Sequence, residues 1–373
     1  MKIVLAGAGG YAGLYVDQFL KDMKDIEWVG VCDPYVKSAA SYDRIAEAGI
    51  PVYDTLEEFY KENTADLCCI AVPTYLHEPM SIYAVRHGSH VLVEKPAAPT
   101  AEKTENMIRA EKETGRFIAI GFQWSYSAAI RALKQDILDG VLGKPVELKT
   151  FISWPRNKAY FTRGTGWAGK ISLNGELLLD SIASNACGHY VHNMLFVLGA
   201  SMSESAEAVS VEGDCLRANA IENFDTCTLR FRTADGTPLL MAASHAAGIN
   251  RNPEFIYTFE NAVVRFADDG DRMITAEFKD GTVKEYGNPF ENSHEEKVHA
   301  CMRAAEEGTT PICTAKTALP HVKAIEMVYH EIPIRDFPAE QIRLDPETDG
   351  LYVEGLYEKI VRAYEEGKLL SEL

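Results

Sequence analysis

The 373-residue chain lacks the features that would assign it to a membrane or to a secreted protein. No stretch approaches the ~18 consecutive apolar residues of a membrane span, so no transmembrane helix is expected. The apolar run that follows Lys2 ends by Ala6, which is too short for an export signal and is typical of a strand. We therefore expect a soluble, cytoplasmic protein.

Basic residues are also scarce, with 37 Lys and Arg against 55 Asp and Glu, a net charge of -18 and a pI near 5.0. Nucleic acids and acidic lipids bind basic surfaces, so neither is expected as a partner. The eight cysteines form no CxxC pair, and several lie in apolar runs such as Leu67–Ile70. We expect them to be buried hydrophobic side chains rather than a disulfide framework.

The length exceeds what one compact core usually holds, so we expect two domains, at residues 1–124 and 125–373. In the first, short apolar runs alternate with longer amphipathic stretches. The predicted strands are 3–6, 28–32, 67–72, 90–93 and 117–120, and the predicted helices are 11–23, 37–48, 76–87 and 100–114. This alternation indicates βαβ units and a parallel sheet, the α/β arrangement of a Rossmann domain.

Beyond a connecting helix at Ala128–Leu138, the pattern changes to strands separated by turn signals such as Asp-Gly. The predicted strands are 146–153, 207–212, 227–232, 239–244, 255–260, 263–266 and 274–278, and the predicted helices are 183–198, 293–307, 315–330 and 352–369. We expect an α+β domain with a large open, mainly antiparallel sheet. One face would pack on helices, and the other would be free for substrate or for a homodimer or homotetramer contact.

A glycine-rich turn follows the first strand and fits the pattern GxGxxA at Gly7, Gly9 and Ala12. These small residues allow a tight turn, a close approach of pyrophosphate and helix packing, and the helix N-terminus attracts phosphate. Asp33 ends the second strand, where a carboxylate binds ribose hydroxyls and repels a 2′-phosphate, so NAD is favoured over NADP. The alternatives are a Rossmann fold that binds FAD or no nucleotide, and an Asp33 that only forms a turn before Pro34.

A second motif, Glu94-Lys95-Pro96, lies at the carboxyl end of the parallel strand that begins at His90. Ligands of this fold bind outside those strand ends, so Lys95 is predicted to lie near the nicotinamide. Burial beside a cationic ring would lower the pKa of this lysine and suit it to proton exchange with a substrate hydroxyl. The alternative is a solvated loop lysine.

In this combination the sequence resembles the Gfo/Idh/MocA oxidoreductases. The resemblance also rests on Ala71–His77, Gly121–Trp124, Gly140–Pro145 and a helix that carries His189 and ends at Leu198-Gly199. It implies metal-free hydride transfer between NAD(P) and a hydroxyl carbon, usually of a sugar or cyclic polyol. The cofactor contacts expected together from the motifs and the resemblance are Gly7, Gly9, Gly10, Tyr11, Ala12, Asp33, Val72, Pro73, Thr74, His77, Glu94, Lys95 and Gln123.

The resemblance further implies a catalytic lysine that acts with a histidine of the second domain and with an aspartate four residues before it. Lys95 matches the lysine and His189 the histidine, but Asn185 stands where the aspartate is expected. Asn185 could orient His189 or bind substrate, or Asp180 could supply the missing carboxylate. His189 could also be a structural histidine. His192 lies at a position that is commonly aspartate in the resembled family, and it is a candidate substrate contact.

The loop before the His189 helix is dense in aromatic and arginine residues, which suit a hydroxylated or acidic sugar. Arg156, Tyr160, Arg163 and Trp167 are therefore candidate substrate contacts, together with Lys95, His189 and His192. Trp124, just after the last Rossmann strand, is a further one. The alternative for this loop is packing or subunit contact.

Two histidine patterns are discounted as metal sites. His189 and His192 are three residues apart on a helix, but the resembled chemistry is metal-free. His294 and His299 resemble a zincin motif, but they are five residues apart and face different sides of a helix. No metal is expected.

The leading hypothesis is an NAD-dependent dehydrogenase of a sugar, sugar acid or cyclic polyol, in which Lys95 and His189 handle the proton. The second is an NAD-dependent elimination, glycoside cleavage or epimerisation with no net redox change. The third is a non-enzymatic sensor that binds NAD.

Overall fold

The computed structural model describes residues 1–164 and 166–373. Its strands are β1 (Lys2–Ala6), β2 (Glu27–Cys32), β3 (Val52–Tyr53), β4 (Leu67–Ile70), β5 (His90–Val93), β6 (Ile118–Ile120), β7 (Pro145–Ser153), β8 (Ser172–Leu173), β9 (Glu176–Leu177), β10 (Ala208–Arg217), β11 (Thr226–Thr233), β12 (Pro238–Ser244), β13 (Arg251–Phe259), β14 (Ala262–Ala267), β15 (Ile274–Phe278), β16 (Val283–Gly287), β17 (Ile334–Asp336), β18 (Ile342–Asp345) and β19 (Gly350–Val353).

The α-helices are α1 (Ala12–Asp22), α2 (Tyr42–Glu47), α3 (Leu56–Glu62), α4 (His77–Arg86), α5 (Ala101–Thr114), α6 (Gln123–Tyr126), α7 (Ala128–Leu138), α8 (Lys158–Thr162), α9 (Gly188–Val197), α10 (Ser293–Glu307), α11 (Ala315–Glu331) and α12 (Leu356–Glu366). None of these helices, in the part of the chain that the structure describes, is long and apolar enough to cross a bilayer.

The chain divides into two compact units, each built from two stretches of sequence. The first unit is Met1–Tyr126 with Asn292–Leu319, and the second is Ser127–Glu291 with Pro320–Leu373. The helix at 293–307 is predicted in the second domain, but it packs in the first unit. Helix α10 buries Val298, Cys301 and Ala304 in the core of the first unit, since residues spaced by three or four share one helix face.

The first unit contains a six-stranded sheet in the order β3-β2-β1-β4-β5-β6, and every adjacent pair is parallel. This is the strand order of a Rossmann fold, with the switch point between β1 and β4. The strands β4 and β5 are buried along their whole length, as expected for a sheet with helices on both faces. The predicted fold class of this part is confirmed.

Two helices of the first unit begin at threonine caps, which fix where α3 and α5 start. The Thr55 side chain accepts a hydrogen bond from the N–H of Glu58 at the start of α3, and Thr100 accepts one from Lys103 at the start of α5. Each cap satisfies one of the amide donors that a helix N-terminus leaves open.

The second unit contains a nine-stranded sheet in the order β16-β15-β14-β13-β7-β12-β11-β10-β17. All adjacent pairs are antiparallel except β7 with β12 and β10 with β17. The α+β class with a large, mainly antiparallel sheet is therefore confirmed.

The central strands of this sheet are covered on both faces, contrary to the expectation of one free apolar face. Helix α9 contacts β7 and β12, and its Asn193 side chain donates to the Tyr257 hydroxyl at 2.9 Å. Helix α12 lies on the other face, where Ile360 and Tyr364 pack in one cluster with Phe151 and Ala242. The C-terminal segment of the chain thus buries apolar surface that was expected to be free for substrate or a subunit contact.

Candidate nucleotide and substrate sites

The turn between β1 and α1 requires glycine at its first position. Gly7 has a φ of +92°, and a Cβ atom there would lie 2.3 Å from the carbonyl oxygen of Ala71. Both the conformation and this close approach exclude larger residues. Ala12 begins α1 and is fully buried, so the helix packs directly on the sheet.

The rest of the turn is open and offers donors to an anion. Gly9, Gly10 and Tyr11 are exposed, and no atom lies within 4 Å of the Cβ position of either glycine. Among the described residues, no protein acceptor takes the N–H groups of these three residues. The first turn of α1 carries no acidic side chain. This helix N-terminus therefore suits a pyrophosphate.

Asp33 lies at the carboxyl end of β2, beside this turn. Its Oδ2 accepts a hydrogen bond from the N–H of Ala8 at 2.8 Å, and its Oδ1 accepts one from the N–H of Tyr35 at 2.7 Å. The second bond is the turn contact foreseen as the alternative role. Each carboxylate oxygen retains a further acceptor site, so the same side chain can also accept from ribose hydroxyls.

The segment after β4 is fixed by His77. Its Nε2 lies 2.9 Å from the carbonyl oxygen of Val72 and its Nδ1 lies 2.8 Å from that of Pro96. Burial lowers the pKa of His77, while these two carbonyls act to raise it. Pro73 is half-buried and Thr74 is buried. Since His77 is itself buried, it holds the backbone of a candidate cofactor loop rather than facing a ligand.

Glu94 is expected as a cofactor contact, but its carboxylate is buried among protein donors. Its Oε1 accepts from the Tyr15 hydroxyl at 2.6 Å and forms an ion pair with Lys297 of α10. Burial alone would raise the pKa of Glu94, but Lys297 and Tyr15 hold it below its usual range. Gly121 leaves room for this group, because a Cβ there would lie 2.8 Å from Oε1. Glu94 therefore anchors the motif from inside.

Tyr11 links the Glu94–Lys297 pair to the glycine turn. Its hydroxyl lies 3.3 Å from Oε1 of Gln123 and 2.6 Å from Nδ1 of His294, and it accepts from Lys297 at 3.2 Å. Two residues expected at the cofactor, Tyr11 and Gln123, are thus brought together, and α10 supplies the groups that join them.

Lys297 is the residue that the sequence analysis misses. It is 2% exposed and sits in a charged helix, where a lysine is ordinarily a surface residue. Its spacing of three from His294 places both on one face, which is the only sequence signal for it. His299 instead pairs with Asp22 at 2.9 Å, so the two histidines make different contacts. Among the described residues, no cluster of three or more His, Cys, Asp or Glu could hold a metal.

Lys95 is half-buried at the carboxyl end of β5, between two fixed neighbours. Glu94 is held by the buried ion pair, and the carbonyl of Pro96 is held by His77. The backbone of Lys95 is therefore positioned from both sides at the sheet edge where this fold binds ligands.

In the second unit, Asp180 and Asn185 are directly hydrogen-bonded. Oδ1 of Asp180 accepts from the Asn185 amide at 2.6 Å, and its Oδ2 accepts from the N–H of Gly169 at 2.7 Å. The two residues weighed as alternatives for the missing aspartate thus form one pair. His189 lies in the first turn of α9, directly after the segment that carries Asn185.

The predicted helix at 183–198 is interrupted here. Residues Ile182–Ala186 form a π-helical turn that starts at a reciprocal Ser181–Ser184 cap, and α9 begins at Gly188. A π turn inserts extra backbone per turn and is frequent at functional sites. It changes how Asn185 and His189 are placed relative to a continuous helix.

His192 and Trp124 have the surroundings of core residues. His192 is 1% exposed and stacks on Phe196, and burial keeps its pKa well below the usual range. Trp124 is 2% exposed in the short helix α6. Neither environment favours the direct substrate contact expected from the sequence.

The four candidate substrate residues of the loop form a stacked cluster. The Arg163 guanidinium lies 3.6 Å from the ring centre of Tyr160 and 4.5 Å from that of Trp167. The Arg156 guanidinium lies 4.8 Å from the ring centre of Tyr160 and 5.5 Å from that of Trp154. All five residues are half-buried. They contact one another and remain accessible to a ligand.

The glycine turn, Asp33 and the parallel sheet agree with a comparison of sequences. Residues 1–122 match the Gfo/Idh/MocA family, described as an oxidoreductase family with an NAD-binding Rossmann fold. The match covers the part of the chain that forms the parallel sheet. The prediction of an NAD-binding Rossmann domain is confirmed.

Individual relatives agree with the assignment. A 2,7-anhydro-N-acetylneuraminate hydratase of Mediterraneibacter gnavus is 29% identical over 36% of this chain and 35% of its own length. An inositol 2-dehydrogenase of Rubrobacter xylanophilus is 27% identical over 42% of this chain and 44% of its own length. The chain thus spans less than half the length of these curated relatives.

Solved structures resemble both units. The WlbA dehydrogenase of Bordetella pertussis, in complex with NADH and UDP-GlcNAcA, has a TM-score of 0.73 at 20% identity. The likeness covers 88% of this chain and 95% of that one, and it concerns the fold.

Proposed function

We propose that the protein is an NAD-dependent oxidoreductase acting on a hydroxyl carbon of a sugar, sugar acid or cyclic polyol. The observation that carries the proposal is Lys95, fixed at the carboxyl end of β5 in the sheet that also carries the open glycine turn. The residues on either side of Lys95 are held by buried partners, since Glu94 pairs with Lys297 and His77 contacts the carbonyl oxygen of Pro96.

NAD, when bound, supplies the hydride acceptor. Gly9, Gly10 and Tyr11 would hold its pyrophosphate through their open N–H groups, and Asp33 would accept hydrogen bonds from a ribose. A carboxylate at that position disfavours the 2′-phosphate of NADP, which supports NAD as the cofactor.

Lys95 would receive the proton of the substrate hydroxyl as that carbon is oxidised. In the second unit, Asn185 would orient His189, and Asp180 would in turn orient Asn185 through their hydrogen bond. Lys95 and His189 are thus the proposed proton-handling groups, and Asp180 and Asn185 are positioning residues.

The direct test is Lys95→Ala with two readouts. We expect NAD binding, measured by calorimetry, to stay within about threefold of wild type, because the glycine turn and Asp33 are unchanged. Turnover, measured as NADH formation on a panel of sugars, sugar acids and inositols, should fall by at least about 10²-fold, the typical contribution of a general base.

Lys103→Ala is the matched control, since it removes a lysine of the same unit from helix α5. Wild-type rates in Lys95→Ala would contradict the proposed role of Lys95. Product release with no accumulation of NADH would instead favour a reaction without net redox change, and binding with no turnover of any panel member would favour a sensor.

A further inference from the structure

We propose that the substrate carries an anionic group, a carboxylate or a phosphate, and that Arg156 and Arg163 bind it. The inference rests on the proposed function, because it narrows the substrate class from sugars in general to anionic sugars. It is carried by the charge and geometry of the arginine–aromatic cluster of the second unit.

Two cations share one aromatic ring in this cluster. The guanidiniums of Arg156 and Arg163 lie 4.8 Å and 3.6 Å from the ring centre of Tyr160. The ring attracts each of them, but their like charges repel each other. An anion bound by both guanidiniums would offset that repulsion.

Neither guanidinium forms an ion pair within the described residues. Arg163 donates to the carbonyl oxygen of Tyr160, and Nε of Arg156 is buried with no protein acceptor. Other arginines of this unit are paired, such as Arg217 with Asp336, Arg230 with Glu372 and Arg251 with Glu254. The chain has 55 acidic against 37 basic residues, so two neighbouring arginines without a carboxylate are unexpected as a packing device.

The groups around the cluster leave its positive charge in place. His245 is buried beside Tyr160, and burial together with the two arginines lowers its pKa to about 3. Asp180 is close enough to act on Tyr160, but its oxygens accept from Gly169 and Asn185. The single Asp180 carboxylate, already engaged by two donors, offsets at most one of the two positive charges.

The chemistry of the cluster suits an anionic sugar better than a neutral one. Guanidinium forks match the paired oxygens of carboxylate and phosphate, and charge-assisted bonds are about twice as strong as neutral ones. The flanking faces of Tyr160 and Trp167 can pack on the apolar side of a sugar ring. Both requirements of an anionic carbohydrate are therefore met in one loop.

The experiment compares matched neutral and anionic sugars on the full chain with saturating NAD. Wild type, Arg156→Gln and Arg163→Gln are tested with glucose against glucuronate, and with glucose against glucose 6-phosphate. We expect wild type to bind one anionic member at least about tenfold more tightly than glucose, and each variant to lose most of that preference. The preferred member identifies carboxylate or phosphate.

Arg265→Gln is the control, because it removes an exposed arginine of β14 outside the cluster, and it should keep the preference. Equal binding of neutral and anionic sugars by wild type overturns the inference, as does an unchanged preference in both cluster variants. Circular dichroism establishes that the variants are folded.

A second readout separates this inference from the proposed function. Inorganic phosphate and malonate are titrated while the fluorescence of the cluster tryptophans is followed, which needs no turnover. Saturable quenching that both cluster variants lose supports the anion site even if no sugar is oxidised. Failure of every anion and every anionic sugar to bind overturns it, even if the enzyme oxidises a neutral polyol.

Discussion

The buried Lys297–Glu94 pair fixes the residue that directly precedes Lys95. Both residues are less than a tenth exposed, and Tyr15 donates to the same carboxylate. Removing one partner would leave an uncompensated charge in a low-dielectric site, whereas removing both would not.

We expect Lys297→Met to lower the free energy of unfolding by ~3–5 kcal/mol, the cost of a broken buried pair. The double variant with Glu94→Gln should recover ~1–3 kcal/mol of this loss, because no lone charge remains. Urea unfolding of the two single variants and the double variant measures the coupling. Strictly additive effects would show that the pair makes no net contribution.

The same pair predicts a pH dependence. The pKa of Glu94 is lower in the folded chain than in the unfolded chain, so its contribution to stability is fully present above the unfolded value and is lost as the pH falls through the folded value. Urea unfolding between pH 7 and pH 3 should show a steeper loss in wild type than in the Glu94→Gln, Lys297→Met double variant. Parallel curves would refute this assignment.

Residues whose role is local could be predicted from the sequence, and residues whose role depends on distant partners could not. Gly7 is fixed by its turn, and the position of Lys95, though not its chemical role, follows from its place after a buried strand. Lys297 acquires its role only by packing near Glu94, some 200 residues earlier in the chain. The bond between Asp180 and Asn185 likewise depends on a loop path that spacing does not specify.

At the scale of elements, α12 covers the face of the second sheet that was expected to be free. Ile360 is fully buried in the cluster with Phe151 and Ala242. Phe151 lies in β7 and Ala242 in β12, the two central strands. Helix α12 therefore stabilises the sheet that carries the substrate loop.

We expect Ile360→Ala to lower the free energy of unfolding by ~2–5 kcal/mol, the range for truncating a buried aliphatic side chain. Exposed Lys359 on the same helix supplies the control, since Lys359→Ala should change stability by less than ~0.5 kcal/mol. Thermal and urea unfolding followed by circular dichroism measure both. A loss below ~1 kcal/mol in Ile360→Ala would indicate that α12 is only loosely docked.

Helices and strands could be predicted where the hydrophobic pattern is long. They could not be predicted where the pattern is short or fits both a helix and a strand. The five predicted strands of the first sheet are present, but edge strand β3 has only two residues and gives no periodic signal. The stretch at 352–369 was predicted as one helix, yet its first residues belong to β19, because pairing with β18 overrides a mixed local preference. The π turn at Ile182–Ala186 has no sequence pattern of its own.

At the scale of the molecule, the core of the first unit is completed by α10, a helix from late in the chain. Tyr11 and Glu94 contact α10 through His294 and Lys297. A ligand bound at the glycine turn should therefore stabilise two stretches that are far apart in sequence.

Hydrogen exchange with and without NAD tests this coupling. At 100 times its dissociation constant, NAD should stabilise the bound unit by ~2.7 kcal/mol, so peptides from α1 and α10 should both gain protection. Peptides from β14 and β15 serve as the internal reference. Protection of α1 with no change in α10 would show that the contacts between the two helices do not transmit the stabilisation by NAD.

The late origin of α10 also sets an order of events during synthesis. Residues 1–126 leave the ribosome with the apolar groove for this helix still empty, and the helix follows only after residues 127–291 have been made. At ~5–20 residues per second, the nascent first unit waits on the order of ten seconds for its last piece. A fragment that ends at residue 126 would carry the same exposed groove permanently, so an isolated nucleotide-binding module needs residues 292–319 fused to it.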